Sequence, residues 1–196
     1  LILKKTWIYG FQTALNIPLL PETKILLENC LLTPPSKGFM AKKANQKSAE
    51  RAPLIILDQG KSKANRTSLV LTQTSLIGPA MLRVLNPNPQ NPTSIEANHC
   101  LFQNDHLIEN MNQTASNDTL LPVRWNGANN LFDVKDAFLW ESPEKISIRK
   151  LSEWSKRVLE KNSLEQAVPL VNSFAQVPQP SDFLPKSQTD RQFGYR

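Results

Sequence analysis

Five stretches of this 196-residue chain share one pattern, and that recurrence restricts the fold more than any other feature. They are Leu1–Gly10 (LILKKTWIYG), Lys24–Thr33 (KILLENCLLT), Ser68–Ile77 (SLVLTQTSLI), Ser94–Asn104 (SIEANHCLFQN) and Val123–Phe132 (VRWNGANNLF). Aligned, one column holds Ile2, Ile25, Val70, Ile95 and Trp125, and a polar column follows at Thr6, Asn29, Thr74, His99 and Asn129. The next column is Trp7, Cys30, Ser75, Cys100 and Asn130. Two apolar columns close the pattern: Ile8, Leu31, Leu76, Leu101 and Leu131, then Tyr9, Leu32, Ile77, Phe102 and Phe132. Similarity at fixed positions, recurring every ~20–50 residues, marks stacked repeats in which no unit buries its apolar face alone.

The near-alternation of apolar residues in each copy makes the unit a strand. A second apolar patch follows, at Ala14–Ile17, Gly38–Met40, Ala80–Val84, Leu107–Ile108 and Ala137–Trp140, with Pro53–Leu57 in the longest interval. Strand, bend, strand and loop, repeated, predict an all-β chain. It would be a right-handed parallel β-helix, a solenoid of about five coils. Asn and Thr in the polar column suit the bend, because Asn tolerates left-handed backbone angles and can bond its own backbone. The same column accounts for His99 without a catalytic role.

The motifs ENCLL (Glu28–Leu32), GPAMLRVLN (Gly78–Asn86), NHCLF (Asn98–Phe102), VRWNGANNLF and LSEWSKRVL (Leu151–Leu159) carry a resemblance. The chain resembles the right-handed parallel β-helix (pectin-lyase-like) superfamily. More narrowly, it resembles the β-helix region of large bacterial proteins that carry a serine/threonine kinase domain. The resemblance spans most of residues 24–196 and implies a fold, not an activity. It transfers no catalytic residues, and no glycine-rich loop, HRD or DFG is present.

The expected division is a β-helix over residues 1–145 and a C-terminal part over 146–196. Leu151, Trp154, Val158 and Leu159 form the apolar stripe of an amphipathic helix predicted over 150–161, a cap for the open end of the stack. A proline-containing tail should follow and pack on the solenoid. Starting at Leu1 rather than Met, the chain reads as part of a larger protein. No signal peptide or apolar run of membrane-spanning length occurs, which leaves localisation open.

Net charge is +6, with the basic excess in Lys37–Arg66. Lys42, Lys43, Lys47 and Arg51 are candidates for polyanion binding. Only Phe39 is aromatic among those charges, so nucleic acid is disfavoured as a partner. Cys30 and Cys100 share a column and should lie two rungs apart, ~9.6 Å by strand spacing, too far for a disulfide. Two free, buried thiols are therefore expected. No metal-ligand spacing and no cofactor motif is evident.

Catalysis on a β-helix would need carboxylates gathered on an outer face. Glu96, Arg124, Asp133 and Asp136 are the candidate ligand-binding residues, with Glu96 and Arg124 expected to align on adjacent rungs as a surface ion pair. The reading is a non-catalytic scaffold or binding module whose partner is an upstream domain, a protein or a polysaccharide. The alternative is a carbohydrate-active lyase or hydrolase.

Overall fold

Ile25 and Leu27, Leu69 and Leu71, Ile95 and Ala97, and Val123 and Trp125 are all buried, while the residues between them face outward. This is the period-two alternation of strands with one covered face. The structure is a computed structural model that describes residues 1–9, 13–17, 22–33, 52–58, 66–87, 90–111, 121, 123–142, 147–170, 179–194 and 196. The chain is all-β, with mostly parallel strands in two sheets.

The first unit consists of β1 (Ile2–Lys4), β2 (Trp7–Tyr9) and β3 (Leu15–Ile17). The second is β4 (Thr23–Glu28), β5 (Leu31–Thr33) and β6 (Pro53–Asp58). Three units of two strands follow: β7 (Thr67–Thr72) with β8 (Ser75–Leu85), β9 (Thr93–Asn98) with β10 (Leu101–Met111), and β11 (Val123–Ala128) with β12 (Leu131–Ser142). After β13 (Ser147–Ile148) and one helical turn, α1 (Leu151–Trp154), a sixth unit adds β14 (Leu159–Lys161) and β15 (Leu164–Glu165). One sheet runs β1-β4-β7-β9-β11-β14, and the other carries β2, β5, β8, β10, β12 and β13 with β3, β6 and β15 alongside. Each unit thus gives a strand to both sheets. The Gly38–Met40 patch lies outside the described residues.

The corner between the sheets is made the same way every time. Lys5, Asn29, Gln73, His99, Asn129 and Asn162 all have φ between 49 and 56°. Each of the first five donates its N–H to a carbonyl of the following unit, as in Asn29 N to Thr72 O at 2.9 Å. Two residues later the N–H of Leu31, Ser75, Leu101, Leu131 or Leu164 bonds back to the preceding unit. The backbone ladder therefore skips one residue at the corner and resumes at the next, and the skipped N–H bonds a side chain, as Cys30 N does to Thr74 Oγ1. The skipped residue faces inward: Thr74 Oγ1 donates to Leu27 O at 3.1 Å, and Asn130 Nδ2 donates to Ala97 O at 2.8 Å while its Oδ1 accepts from Cys100 N at 2.9 Å.

This register corrects the sequence alignment in two copies. Lys5 and Gln73, not Thr6 and Thr74, are the corner residues beside Asn29, His99 and Asn129. Leu69, not Val70, lies next to Ile25 and Ile95. Copies one and three are each displaced by one residue. Cys30 and Cys100 do share a column, with Thr74 between them, and both are buried and free.

The two apolar columns after the corner are buried on opposite sides. Leu32, Leu76, Phe102 and Phe132 fill the interior, where Phe102 and Phe132 stack at 5.1 Å and Trp125, Phe138 and Trp154 complete an aromatic cluster. Leu31, Leu101 and Leu131 lie on the outer face beneath Val168, Leu170, Phe183 and Phe193 of the C-terminal segment. Gln103 Nε2 and Val168 N both donate to Asp133 Oδ2, and Gln103 also bonds Val168 O, pinning that segment down. Farther on, Gly194 N donates to His99 O and Arg196 N to Asn29 Oδ1.

The helix expected over 150–161 is only the turn Leu151–Trp154. Leu151, Trp154 and Val158 do pack on the interior, but Leu159 is 62% exposed, because residues 159–161 pair with β11 instead. A free strand edge offers backbone partners that four more helical residues would not, and tertiary pairing overrides the helical period.

His99→Val should destabilise the fold by about 1–2 kcal/mol, the cost of a β-branched residue in a left-handed corner, whereas His99→Gly should be tolerated; denaturant titration of both variants checks this. Leu101→Ala should cost about 2–5 kcal/mol, with the amide of Val168 losing hydrogen-exchange protection before those of β4 and β7.

Candidate functional site

The second halves of β8, β10 and β12 bring together side chains from three units. A register shift between Asn104 and His106 turns the His106 ring outward, with Glu109 facing the same way. His106 Nδ1 lies 2.9 Å from Glu109 Oε1, and Arg83 places Nε at 2.8 Å and a terminal nitrogen at 2.7 Å from Glu109 Oε2. The imidazole lies flat against Trp140, ring centres 5.6 Å apart. Its Nε2 is 3.9 Å from Asp136 Oδ2. Glu109 is buried, which alone would raise its pKa. The His106 hydrogen bond and the Arg83 charge outweigh that and hold the carboxyl below its ordinary value. Glu109 is therefore an ionised anchor for the other two side chains. Glu109 orients the His106 ring through Nδ1 and leaves Nε2 toward Asp136, an arrangement in which one carboxylate positions an imidazole beside another.

The four sequence candidates do not converge. Glu96 and Arg124 are exposed on the outer face of the β1-to-β14 sheet, where Glu96 stands opposite Asn126 and Arg124 opposite Ser94. They are two positions out of step and form no ion pair, a correction to the expected alignment. Asp133 serves the C-terminal segment. Asp136 alone joins the His106 cluster. Arg83 and Glu109 were not singled out from sequence, since nothing local marks two residues that meet only when β8 and β10 lie side by side. Lys42, Lys43, Lys47 and Arg51 lie outside the described residues.

A cleft of about 410 Å³ opens at the far end of the stack, lined by Pro92, Leu121, Val123, Arg124, Trp125, Lys156, Arg157, Val158 and Leu159. Beneath it, Glu160 reaches back over Gly127. Its carboxylate accepts from Trp125 Nε1, Ser163 Oγ and Asn130 Nδ2. A methyl group at Gly127 would collide with both Glu160 Oε2 and Trp125 Nε1, so a side chain at this inward position would push these two groups aside. Burial pushes the Glu160 carboxyl above its ordinary value despite these donors. Burial also raises both thiols, Cys100 to about 12, so neither serves as a nucleophile at neutral pH. Among the described residues, no group of three or more His, Cys, Asp or Glu side chains could hold a metal, and no helix is long and apolar enough to cross a membrane.

Comparison with protein-family models, with curated proteins and with solved structures found no match.

The two buried carboxylates should act oppositely on stability. Glu160, with a raised pKa, binds its proton more tightly when folded. Its contribution is fully present below the ordinary value of 4.5 and is lost as pH rises through the raised one. Glu109, with a lowered pKa, contributes above the ordinary value and loses that contribution as pH falls. Thermal midpoints measured across pH should show Glu160→Gln flattening the decline on the alkaline side and Glu109→Gln flattening the acid side.

Proposed function

We propose that the chain is a right-handed parallel β-helix module of the pectin-lyase-like kind. It acts as a non-catalytic scaffold or binding surface within a larger, kinase-linked bacterial protein. The parallel register and the six matching corners support the β-helix. The observation that carries the non-catalytic reading is the engagement of the acidic side chains. Asp133 is bound to the C-terminal segment, Glu109 to Arg83 and His106, and Glu160 to three donors inside the stack. Glycoside hydrolysis on an outer face ordinarily uses two carboxylates free to face one substrate. Glu96 and Asp136 are exposed but belong to different sheets, and the half-exposed Asp105 is paired with Lys135 at 3.5 Å.

The second reading, a carbohydrate-active enzyme, draws on one specific feature, the Glu109-oriented His106 beside Asp136. Incubation with uronate-containing and neutral polysaccharides discriminates the two. The expected outcome is no product. Cleavage that drops at least about a hundredfold in both His106→Gln and Asp136→Asn, the scale of a general base, would establish the enzyme instead.

A further inference from the structure

Three cations converge on the cleft at the end of the stack. Arg124 projects from β11, and Lys156 and Arg157 come from the turn after α1. All three are exposed, and among the described residues none forms an ion pair. No described carboxylate lines the cleft. The nearest acid along the strand pair, Glu96, faces Asn126 rather than Arg124. Like charges facing one cleft repel, weakly where solvent screens them, and a bound anion would turn that repulsion into attraction.

The turn carrying two of the cations is fixed in place. Arg157 N and Val158 N both donate to Trp154 O, at 2.9 and 3.2 Å, and Trp154 is wholly buried against Trp125 and Phe138. The backbone from which Lys156 and Arg157 project is thus fixed by the interior, so a ligand has to order only their side chains. The walls between them are apolar, from Pro92, Leu121, Val158 and Leu159.

We infer that this cleft is a binding site for a small phosphomonoester. Two guanidinium groups and an ammonium carry three positive charges, of which a phosphate dianion offsets two through its three acceptor oxygens, whereas a lone carboxylate offsets only one. A volume of about 410 Å³ is at the small end of ligand sites, room for one such molecule with an apolar or ring-bearing portion against the walls. The inference deepens the binding-module reading by giving it a site and a ligand class.

The test is ³¹P NMR at low salt on the full chain, with adenosine monophosphate, ribose 5-phosphate and inorganic phosphate as probes. A saturable change in the ester signal is expected, weakened at least about tenfold in Arg124→Gln and in Arg157→Gln and unchanged in Lys135→Gln, whose site is remote. Tighter binding of the nucleotide than of the sugar phosphate would assign the walls to the base; equal binding would assign recognition to the phosphoryl group. No saturable response, a response to inorganic phosphate alone, or arginine variants that bind like wild type would overturn the site. The same spectra separate this inference from the reading it rests on. Inorganic phosphate released from the esters would end the non-catalytic reading and leave the site standing. Absence of binding would remove the site alone.

Discussion

A left-handed residue at the corner between the two sheets is the constraint on which the rest of this structure depends. A strand that bends with ordinary backbone angles would break its ladder or slip by a residue. A single residue near φ +50° turns the chain sharply and lets hydrogen bonding resume two residues later. Asparagine fills three of the six positions, as its short polar side chain favours. Lysine, glutamine and histidine fill the others under some steric strain, less than a β-branched residue would bear. That strain is tolerated because each inner corner is clamped by bonds to the units on either side, and each end corner by bonds to its one neighbour. The inward residue that follows, Thr74 or Asn130, then satisfies groups that the turn would leave bare.

The parallel, all-β architecture was legible because every copy carries strand-like alternation and an apolar doublet. The exact register was not, and the reason is physical. Both members of the doublet are buried, one inside the stack and one beneath the C-terminal segment. Apolarity alone therefore cannot say which column is which, and a shift of one residue still aligns leucine with leucine. Asn29, His99 and Asn129 gave the corner away, whereas Thr6 and Thr74 imitate a corner residue from one position later. The sixth unit was hidden because Leu151, Trp154, Val158 and Leu159 fit a helical stripe, and nothing local reveals that β11 offers an unpaired edge.

The polar clusters show the same limit. Asp136 was picked out from its type and position, but its neighbour His106 gains meaning only through Glu109 and Arg83, which lie on different strands. Arg124 was picked out for an ion pair with Glu96 that the register forbids. Its actual company, Lys156 and Arg157, comes from a turn that the sequence presents as the solvated face of a helix. Residues that act across units leave no spacing signature in one chain, because the interval between units varies with each loop.

The C-terminal segment changes how the stack can come apart. In a pile of repeats, each unit touches only its neighbours, so an end can fray while the middle holds. Here the chain leaves the sixth unit and returns across the outer face. It is fastened at Asp133 and rests on Leu131, Leu101 and Leu31. It ends with hydrogen bonds to His99 of the fourth unit and Asn29 of the second. Contacts between distant units turn a linear array into a closed circuit of dependence, in which loosening one end removes cover from the other. Unfolding of such an object is concerted, and its weakest unit borrows the stability of the strongest.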